Sequence, residues 1–311
     1  MIVLGSTYLP VMEVLESKLG ENMTLRPIDT DRTLADQIAD VEVLILGSQQ
    51  VSADDIAAAP KLKLIHQHGR GVDSVDRDAA KTAGVTVANV PGGNSIAVAE
   101  HVLALILYMA KQFAKMPHSI SEKISGAPAG MEISGKTLAI IGLGSSGEEL
   151  AIRAKALGMR VLATKGNPDV KPSVEVDVLG GPGNMLEFLS EADFVVVLAT
   201  LTETTIGLIG AAELDAMMPS AYLINVARGP LVDYESLLEA LTDKKIAGAA
   251  FDVFWAEPAP PADPMLKLDN FFMSPHVAGF SDNSIEHVTK IMAENFRRLA
   301  SEQPLVNVVD P

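Results

Sequence analysis

Short apolar runs alternate with amphipathic segments along the first ninety residues of the chain. The runs that predict buried strands lie at 2–4, 43–46, 62–65 and 85–87. Apolar residues recur at helical spacing between these runs, near 12–19, 54–59 and 76–81. This alternation of strands with helices predicts an α/β domain with a mainly parallel sheet.

A second block repeats the alternation with longer and more apolar runs. Its predicted strands lie at 138–141, 160–163, 194–197, 222–225 and 246–249. A helix at about 94–115, apolar on nearly all sides, separates the blocks, so we expect it to be buried at a domain interface. A last helix is predicted at 282–299. We therefore predict a discontinuous domain of residues 1–95 plus 281–311 and an inserted domain of residues 96–280.

Composition narrows the class of protein. The chain is 48% hydrophobic and 21% charged, which is typical of a packed globular protein. Its formal net charge of −16 disfavours nucleic acid and anionic membranes as partners. The absence of cysteine excludes disulfides and thiolate chemistry. With no basic, long apolar N-terminal segment, the sequence predicts a cytoplasmic protein.

A glycine-rich turn supplies the first chemical signal. Gly142-Leu143-Gly144-Ser145-Ser146-Gly147 follows the predicted strand 138–141 and opens a helix at 148–157. In this context the G-x-G-x-x-G spacing predicts a dinucleotide site, because the glycines allow a tight turn and a close approach of pyrophosphate to a helix N-terminus. A methyl-donor cofactor could use a similar turn, and a turn without ligand is the other alternative.

The end of the next strand bears on the choice of cofactor. Dinucleotide sites usually carry an acid there that binds the ribose 2′-OH. In this chain Lys165-Gly166-Asn167 stands at that point, and a cation suits a 2′-phosphate. We predict some preference for NADP over NAD. A solvated Lys165 in an NAD-dependent protein is the alternative.

Several motifs in order then point to one family. They lie at 89–95, 99–101, 135–138, 201–205, 224–229, 250–254, 257–258 and 274–279. With these motifs the sequence resembles the D-isomer-specific 2-hydroxyacid dehydrogenases over nearly its whole length. The resemblance implies two Rossmann- or flavodoxin-like domains with parallel sheets and an active site in the cleft between them. It also implies a homodimer and hydride transfer between NAD(P)H and a small 2-keto or D-2-hydroxy acid.

The resemblance also implies a catalytic set of Arg228, Glu257 and His276. His276 is suited to donate a proton to a carbonyl oxygen, because imidazole changes charge near neutral pH. Glu257 can hydrogen-bond the other ring nitrogen and favour the imidazolium. Arg228 offers a planar fork to a substrate carboxylate, with a structural salt bridge as its alternative role.

Substrate and cofactor contacts follow from the same resemblance. The backbone N–H groups of Gly71 and Val72 are expected to bind the substrate carboxylate, with Asn94 and Ser95 beside the substrate. Arg70, in the same loop, is a candidate reader of a second anionic group or else an exposed cation. The expected cofactor contacts are Gly142, Gly144, Ser145, Ser146, Gly147, Lys165, Thr200, Thr205, Val226, Asp252 and Gly279.

Two cofactor positions depart from the family pattern. The family usually has an arginine where Ser145 stands and often a proline where Thr200 stands.

Three other functions stay open. Formate dehydrogenases share the fold but carry glutamine in place of Glu257, so the glutamate favours a keto acid. A dinucleotide-sensing corepressor or a non-catalytic binding protein could use the same scaffold. No histidine pair has metal-ligand spacing, so no metal site is predicted.

Overall fold

The computed structural model describes residues 1–6, 8–47 and 49–309. Residues 7, 48, 310 and 311, which the predicted domain limits include, lie outside the described residues. The chain divides into two compact units. The first comprises Met1–Asn94 with Phe280–Pro311, and the second comprises Ser95–Gly279.

The strands are short and all their pairings are parallel. In chain order they are β1 (Ile2–Leu4), β2 (Thr24–Arg26), β3 (Val43–Ile45), β4 (Leu64–His66), β5 (Thr86–Ala88), β6 (Thr137–Ile141), β7 (Arg160–Thr164), β8 (Val178–Gly180), β9 (Phe194–Val197), β10 (Tyr222–Asn225), β11 (Gly248–Phe251) and β12 (Phe271–Met273).

The α-helices lie between the strands. In chain order they are α1 (Leu9–Glu16), α2 (Ala53–Ala57), α3 (Arg77–Thr82), α4 (Ser95–Ala110), α5 (Met116–Ser121), α6 (Ser145–Ala156), α7 (Met185–Glu191), α8 (Ala211–Ala216), α9 (Tyr234–Thr242) and α10 (Asp282–Ala300).

The first unit contains a sheet whose described strands run in the order β2-β1-β3-β4-β5. This is the order of flavodoxin-like folds. Alternate residues of its strands face opposite sides, and each side packs against helices. Ile56 of α2 and Ala80 of α3 belong to the core on one side. Leu15 of α1 and Phe296 of α10 belong to the core on the other.

The second unit contains the larger sheet, with its described strands in the order β12-β11-β10-β9-β6-β7-β8. The direction of strand addition reverses beside β6, which makes a topological switch point of the Rossmann type. Helices α4 and α6 cover one face, and α7, α8 and α9 cover the other. Ligands of such sheets bind beyond the carboxyl ends of the strands, where the glycine turn lies.

Sequence patterning missed the outer strands β2, β8 and β12 and placed β11 two residues too early. Each missed strand is three residues long and has one neighbour in its sheet. All three are partly exposed, so their sequences lack the apolar run of a central strand.

The helix predicted at 94–115 is shorter in the structure. It ends at Ala110, after which Gln112 takes a left-handed backbone conformation with φ 52°. A 3-10 turn and α5 follow. Within the described ranges, no single helix is long and apolar enough to cross a membrane; only Ser95–Ala110 and Phe113–Ser121 taken together, bent by 51°, pass that test of length and composition.

Candidate active site

The glycine turn joins β6 to α6 in a form that requires glycine. Gly142 has φ 102°, and a Cβ on it would lie 2.5 Å from the backbone nitrogen of Ala199. Its N–H donates to the carbonyl of Thr164 at the end of β7 over 3.2 Å. The turn therefore packs closely against the end of β7 and the residues after β9, the two strands that flank β6. A side chain at Gly142 would displace the turn from this position.

The start of α6 fits a phosphate group. Its N-cap is Gly144, which offers no capping side chain. In the part of the chain that the structure describes, the N–H groups of Ser145, Ser146 and Gly147 have no hydrogen-bond acceptor. Three such donors, together with the positive end of the helix dipole, suit the diphosphate of a dinucleotide.

The other predicted cofactor residues lie at the same edge of the sheet. Lys165 follows β7, and its side chain is partly exposed. Thr205 fixes the loop after β9, because its hydroxyl donates to the carbonyl of Thr200 over 2.8 Å and accepts from the N–H of Thr202 over 2.7 Å. Val226 follows β10 and is buried. Gly279 is the last residue of the unit.

His276 and Glu257 are hydrogen-bonded to each other in this unit. Nδ1 of His276 lies 2.6 Å from Oε2 of Glu257, and the other carboxylate oxygen accepts from the N–H of Phe254 over 3.1 Å. Burial alone would raise the pKa of Glu257. The hydrogen bond and charge of His276, the Phe254 N–H and the charge of Arg228 outweigh it and hold that pKa below its usual value. Glu257 is therefore ionised at neutral pH.

Arg228 comes next to this pair through the turn after β10. Buried Asn225 shapes the turn, because its amide donates to the carbonyl of Arg228 over 2.8 Å and accepts from the N–H of Ala227 over 3.0 Å. A Cβ on Gly229 would overlap the carbonyl group of Phe254. The backbone after Arg228 thus lies directly against the segment that carries Glu257, which explains why the charge of Arg228 is felt there.

Two aromatic side chains hold the proline-rich segment that carries Glu257. Trp255 donates from its indole nitrogen to the carbonyl of Val232 over 2.7 Å. Tyr234 donates its hydroxyl to Asp263 over 2.7 Å. Burial, and then the hydrogen bond and charge of Asp263, raise the pKa of Tyr234 to about 12, so this donor keeps its proton. The segment is tied to the unit on both sides of Glu257.

Asp252, expected from the family resemblance to contact the cofactor, makes several hydrogen bonds within the second unit. The side chain is buried, and its carboxylate accepts from the Ser274 hydroxyl over 2.5 Å and from the N–H groups of Val277 and Ala278 over 2.9 and 2.7 Å. The carboxylate is thus engaged within its own unit, and contact with a nicotinamide stays a prediction. Sequence reasoning assigned no role to Asn225 or Ser274, although both lie in the motifs 224–229 and 274–279 that carry the family resemblance.

The predicted substrate residues are divided between the units. In the first unit, the loop after β4 is tied to the end of β5: Val90 donates to Gly69, and Asn89 donates to the carbonyl of Arg70 over 2.8 Å. Among the described residues, neither the N–H of Gly71 nor that of Val72 donates a hydrogen bond. The side chain of Arg70 is exposed.

Asn94 ends the first unit, and Ser95 begins α4 in the second. Ser95 is buried, and its hydroxyl lies 3.4 Å from that of Ser146 in the first turn of α6. Ser95 thus lies beside the candidate phosphate site. No group of three or more metal-ligating side chains is found in the described part of the chain.

Comparison with known proteins gives a consistent result. Residues 103–278 match the family described as D-isomer specific 2-hydroxyacid dehydrogenase, NAD binding domain. The cofactor class is therefore a nicotinamide dinucleotide, in agreement with the glycine turn and the N–H groups at the start of α6.

Two curated relatives and one solved structure extend the match to most of the chain. A D-3-phosphoglycerate dehydrogenase from Archaeoglobus fulgidus is 37% identical over 280 residues, which cover 88% of this chain and 52% of that protein. This chain thus spans about half the length of that relative. A glyoxylate reductase from Korarchaeum cryptofilum is 33% identical over 288 residues, covering 89% of this chain and 86% of that protein.

The crystal structure of the TT0316 protein from Thermus thermophilus superposes with a TM-score of 0.85 at 28% identity, covering both chains completely. The family match covers more than half of the chain, and the glyoxylate reductase aligns with both compact units. The chain belongs to the D-isomer-specific 2-hydroxyacid dehydrogenase family.

Proposed function

We propose that this chain catalyses hydride transfer between NAD(P)H and a small 2-keto acid, giving the D-2-hydroxy acid, or the reverse. The observation that carries the proposal is the 2.6 Å contact between His276 and Glu257, in the same unit as the glycine turn. A histidine held by an ionised carboxylate is suited to supply and take back a proton. Family membership supports the same reaction.

The residues divide the chemistry among them. The nicotinamide, when bound, supplies or accepts the hydride. With Nδ1 of His276 held by Glu257, Nε2 is the ring nitrogen that delivers a proton to the keto oxygen. The guanidinium of Arg228 binds the carboxylate of the acid and polarises its carbonyl group. The negative charge of Glu257 stabilises the imidazolium before the proton is transferred and orients the ring.

Substrate binding by the first unit is part of the proposal. The N–H groups of Gly71 and Val72 have no acceptor in the described part of the chain. Both are therefore available to bind an anion such as a carboxylate. Arg70 would favour substrates with a second anionic group. The test is Arg70→Ala: a loss of activity confined to acids with a charged side chain supports this role, and an equal change for all acids contradicts it.

The choice between the two nicotinamide cofactors rests on Lys165. Its position after β7 is where an acid would select the ribose 2′-OH, and a lysine is suited to a 2′-phosphate. We propose a preference for NADP(H). The homodimer and the cytoplasmic location predicted from the sequence also stay proposals, and neither is needed for the chemistry above.

The first experiment follows NADH and NADPH oxidation by absorbance with glyoxylate, hydroxypyruvate, pyruvate, phosphohydroxypyruvate and phenylpyruvate. Turnover that His276→Ala abolishes, while nucleotide binding is retained, supports the proposed reaction. Nucleotide binding without turnover of any keto acid would instead favour a sensing or binding protein on this scaffold.

A further inference from the structure

We propose that His101 is a positioning residue that acts through Ser274 and Asp252 to hold the segment carrying His276. The four residues belong to the second unit, although His101 is 173 positions from Ser274 in the sequence. The kinetic part of this proposal rests on the proposed function, whereas the structural part does not.

The segment at His276 needs to be held. His276 has φ 55°, a left-handed backbone conformation that residues other than glycine rarely adopt. Its N–H donates to the carbonyl of Asp252 over 2.8 Å. The next two N–H groups, of Val277 and Ala278, donate to the carboxylate of the same aspartate. Asp252 therefore binds the backbone at and after the histidine and maintains its conformation.

The charge of Asp252 must be stabilised in turn. Its side chain is 1% exposed, and a buried carboxylate is costly unless hydrogen-bond donors surround it. Two backbone N–H groups supply part of this stabilisation, and the hydroxyl of Ser274 supplies the third donor at 2.5 Å. The position of that hydroxyl thus affects how firmly the whole segment is held.

His101 orients the Ser274 hydroxyl. Nε2 of His101 lies 3.0 Å from Oγ of Ser274 and 3.6 Å from the carboxylate of Asp252. Ser274 has one hydroxyl proton, which goes to Asp252, so it accepts from His101. Nε2 must then carry a proton. The hydrogen bonds run in one direction, from His101 to Ser274 to Asp252, with each donor strengthening the next.

The helix that carries His101 makes it a rigid anchor. Val98, Val102 and Leu105 of α4 belong to a core cluster that includes residues of β6, β9, β10 and β11. The side chain of His101 is 22% exposed, so replacing it leaves this core intact. The hydrogen-bond chain thus connects a helix anchored in the core to the segment after β12.

Two amides provide a matched pair of variants. In His101→Gln, the side-chain nitrogen can take the place of Nε2 and donate to Ser274. In His101→Asn, an equally polar but shorter side chain cannot reach. We expect amide exchange at Val277 and Ala278 to become about tenfold faster in His101→Asn, the size of effect expected for one lost hydrogen bond, and to change less than about twofold in His101→Gln. Exchange in β9 and β10 serves as the control for folding.

Kinetics then test the link to His276. The kcat of His101→Asn should fall by about tenfold with KM little changed, whereas His101→Gln restores it. The double variant His101→Asn with Ser274→Ala should match Ser274→Ala alone, because both act through one hydroxyl. Each loss variant is measured against the wild type in the same buffer.

Several results would overturn the proposal: unchanged exchange at Val277 and Ala278 in His101→Asn, equal losses in the two amide variants, or independent effects of His101 and Ser274. If the wild type reduces no keto acid, the proposed function fails. The exchange measurements on the protein without substrate still decide the role of His101.

Discussion

A buried histidine should make the stability of the first unit depend on pH. His66 lies in β4 and is completely buried. Its Nδ1 lies 3.0 Å from the carbonyl oxygen of Gln67, and its Nε2 lies 3.0 Å from the amide nitrogen of Asn295. That amide is oriented by Val306, whose N–H donates to its oxygen and whose carbonyl accepts from its nitrogen. Nε2 therefore faces a donor, and the imidazole must be neutral.

The magnitude follows from the cost of protonating this ring. Burial lowers the pKa of His66 from 6.5 to about 4, against a smaller opposing effect of the Gln67 carbonyl. The unfolded chain takes up the proton first as the pH falls. The stabilisation is thus fully present above pH 6.5 and is lost between pH 6.5 and 4. At about 1.4 kcal/mol per pH unit, the whole loss is about 3 kcal/mol, of which about 2 kcal/mol is lost by pH 5.

The assay compares wild type with His66→Gln, which keeps an acceptor near Nε2 but cannot titrate. Amide hydrogen exchange is measured on β3, β4 and β5 at pH 7.5 and pH 5, because a chain of two compact units need not unfold in one step. We expect the free energy of opening to fall by about 2 kcal/mol more in wild type than in the variant. His287→Gln, at an exposed position of α10, is the control and should behave as wild type.

Equal losses in wild type and His66→Gln would refute the reasoning, because the acid sensitivity would then come from other groups. A larger loss in the variant would mean that His66 is protonated in the folded protein. Carboxylates such as Asp40 also titrate toward acid, but they are common to both proteins and cancel in the difference.

Three further predictions concern the second unit. Glu257→Gln should lower kcat for keto-acid reduction by about 10- to 100-fold, because the ring of His276 loses the carboxylate that holds Nδ1 at 2.6 Å; a kcat equal to that of the wild type contradicts this. Gly142→Ala should weaken NADH and NADPH binding by about tenfold or more in a fluorescence titration, since its Cβ would meet the backbone of Ala199; wild-type affinity would show that the turn can adapt. Lys165→Ala should weaken NADPH binding by about tenfold and leave NADH binding unchanged; an equal loss for both would contradict a 2′-phosphate contact, and no change for either would assign the lysine to solvent.

Local patterns were enough to predict the class of fold. Central strands such as Val43–Ile45 and Phe194–Val197 are buried on both faces, so their sequences are continuous apolar runs. The outer strands have one exposed side and a single neighbour, and nothing in Thr24–Arg26 distinguishes a strand from a loop. Pairing with β1 selects the strand there, and that contact joins residues more than twenty positions apart.

The candidate site was predictable where its chemistry is contained in a short segment. The glycine turn is one such segment, and its strand, turn and helix all follow from neighbouring residues. The resemblance to a family supplied Arg228, Glu257 and His276. The hydrogen-bond partners of Asp252 could not be predicted from the sequence. Ser274 and His101 come close to Asp252 only after two strands and a helix have packed together. For the same reason, the sequence did not identify Ser274 as the partner of His101, which lies in the motif 99–101, or Asn295 as the partner of His66.

Trp255 can serve as an intrinsic fluorescence probe of the segment that carries Glu257. The chain has a single tryptophan, and its indole ring contacts the rings of Phe251, Phe254 and Tyr234 at centroid distances of 5.5, 5.1 and 5.0 Å. Ultraviolet-excited indole emission therefore comes from one place, two residues from Glu257. The emission maximum and the fluorescence lifetime of Trp255 will change when ligand binding or mutation alters the environment of this segment. No dye or engineered label is needed for that measurement.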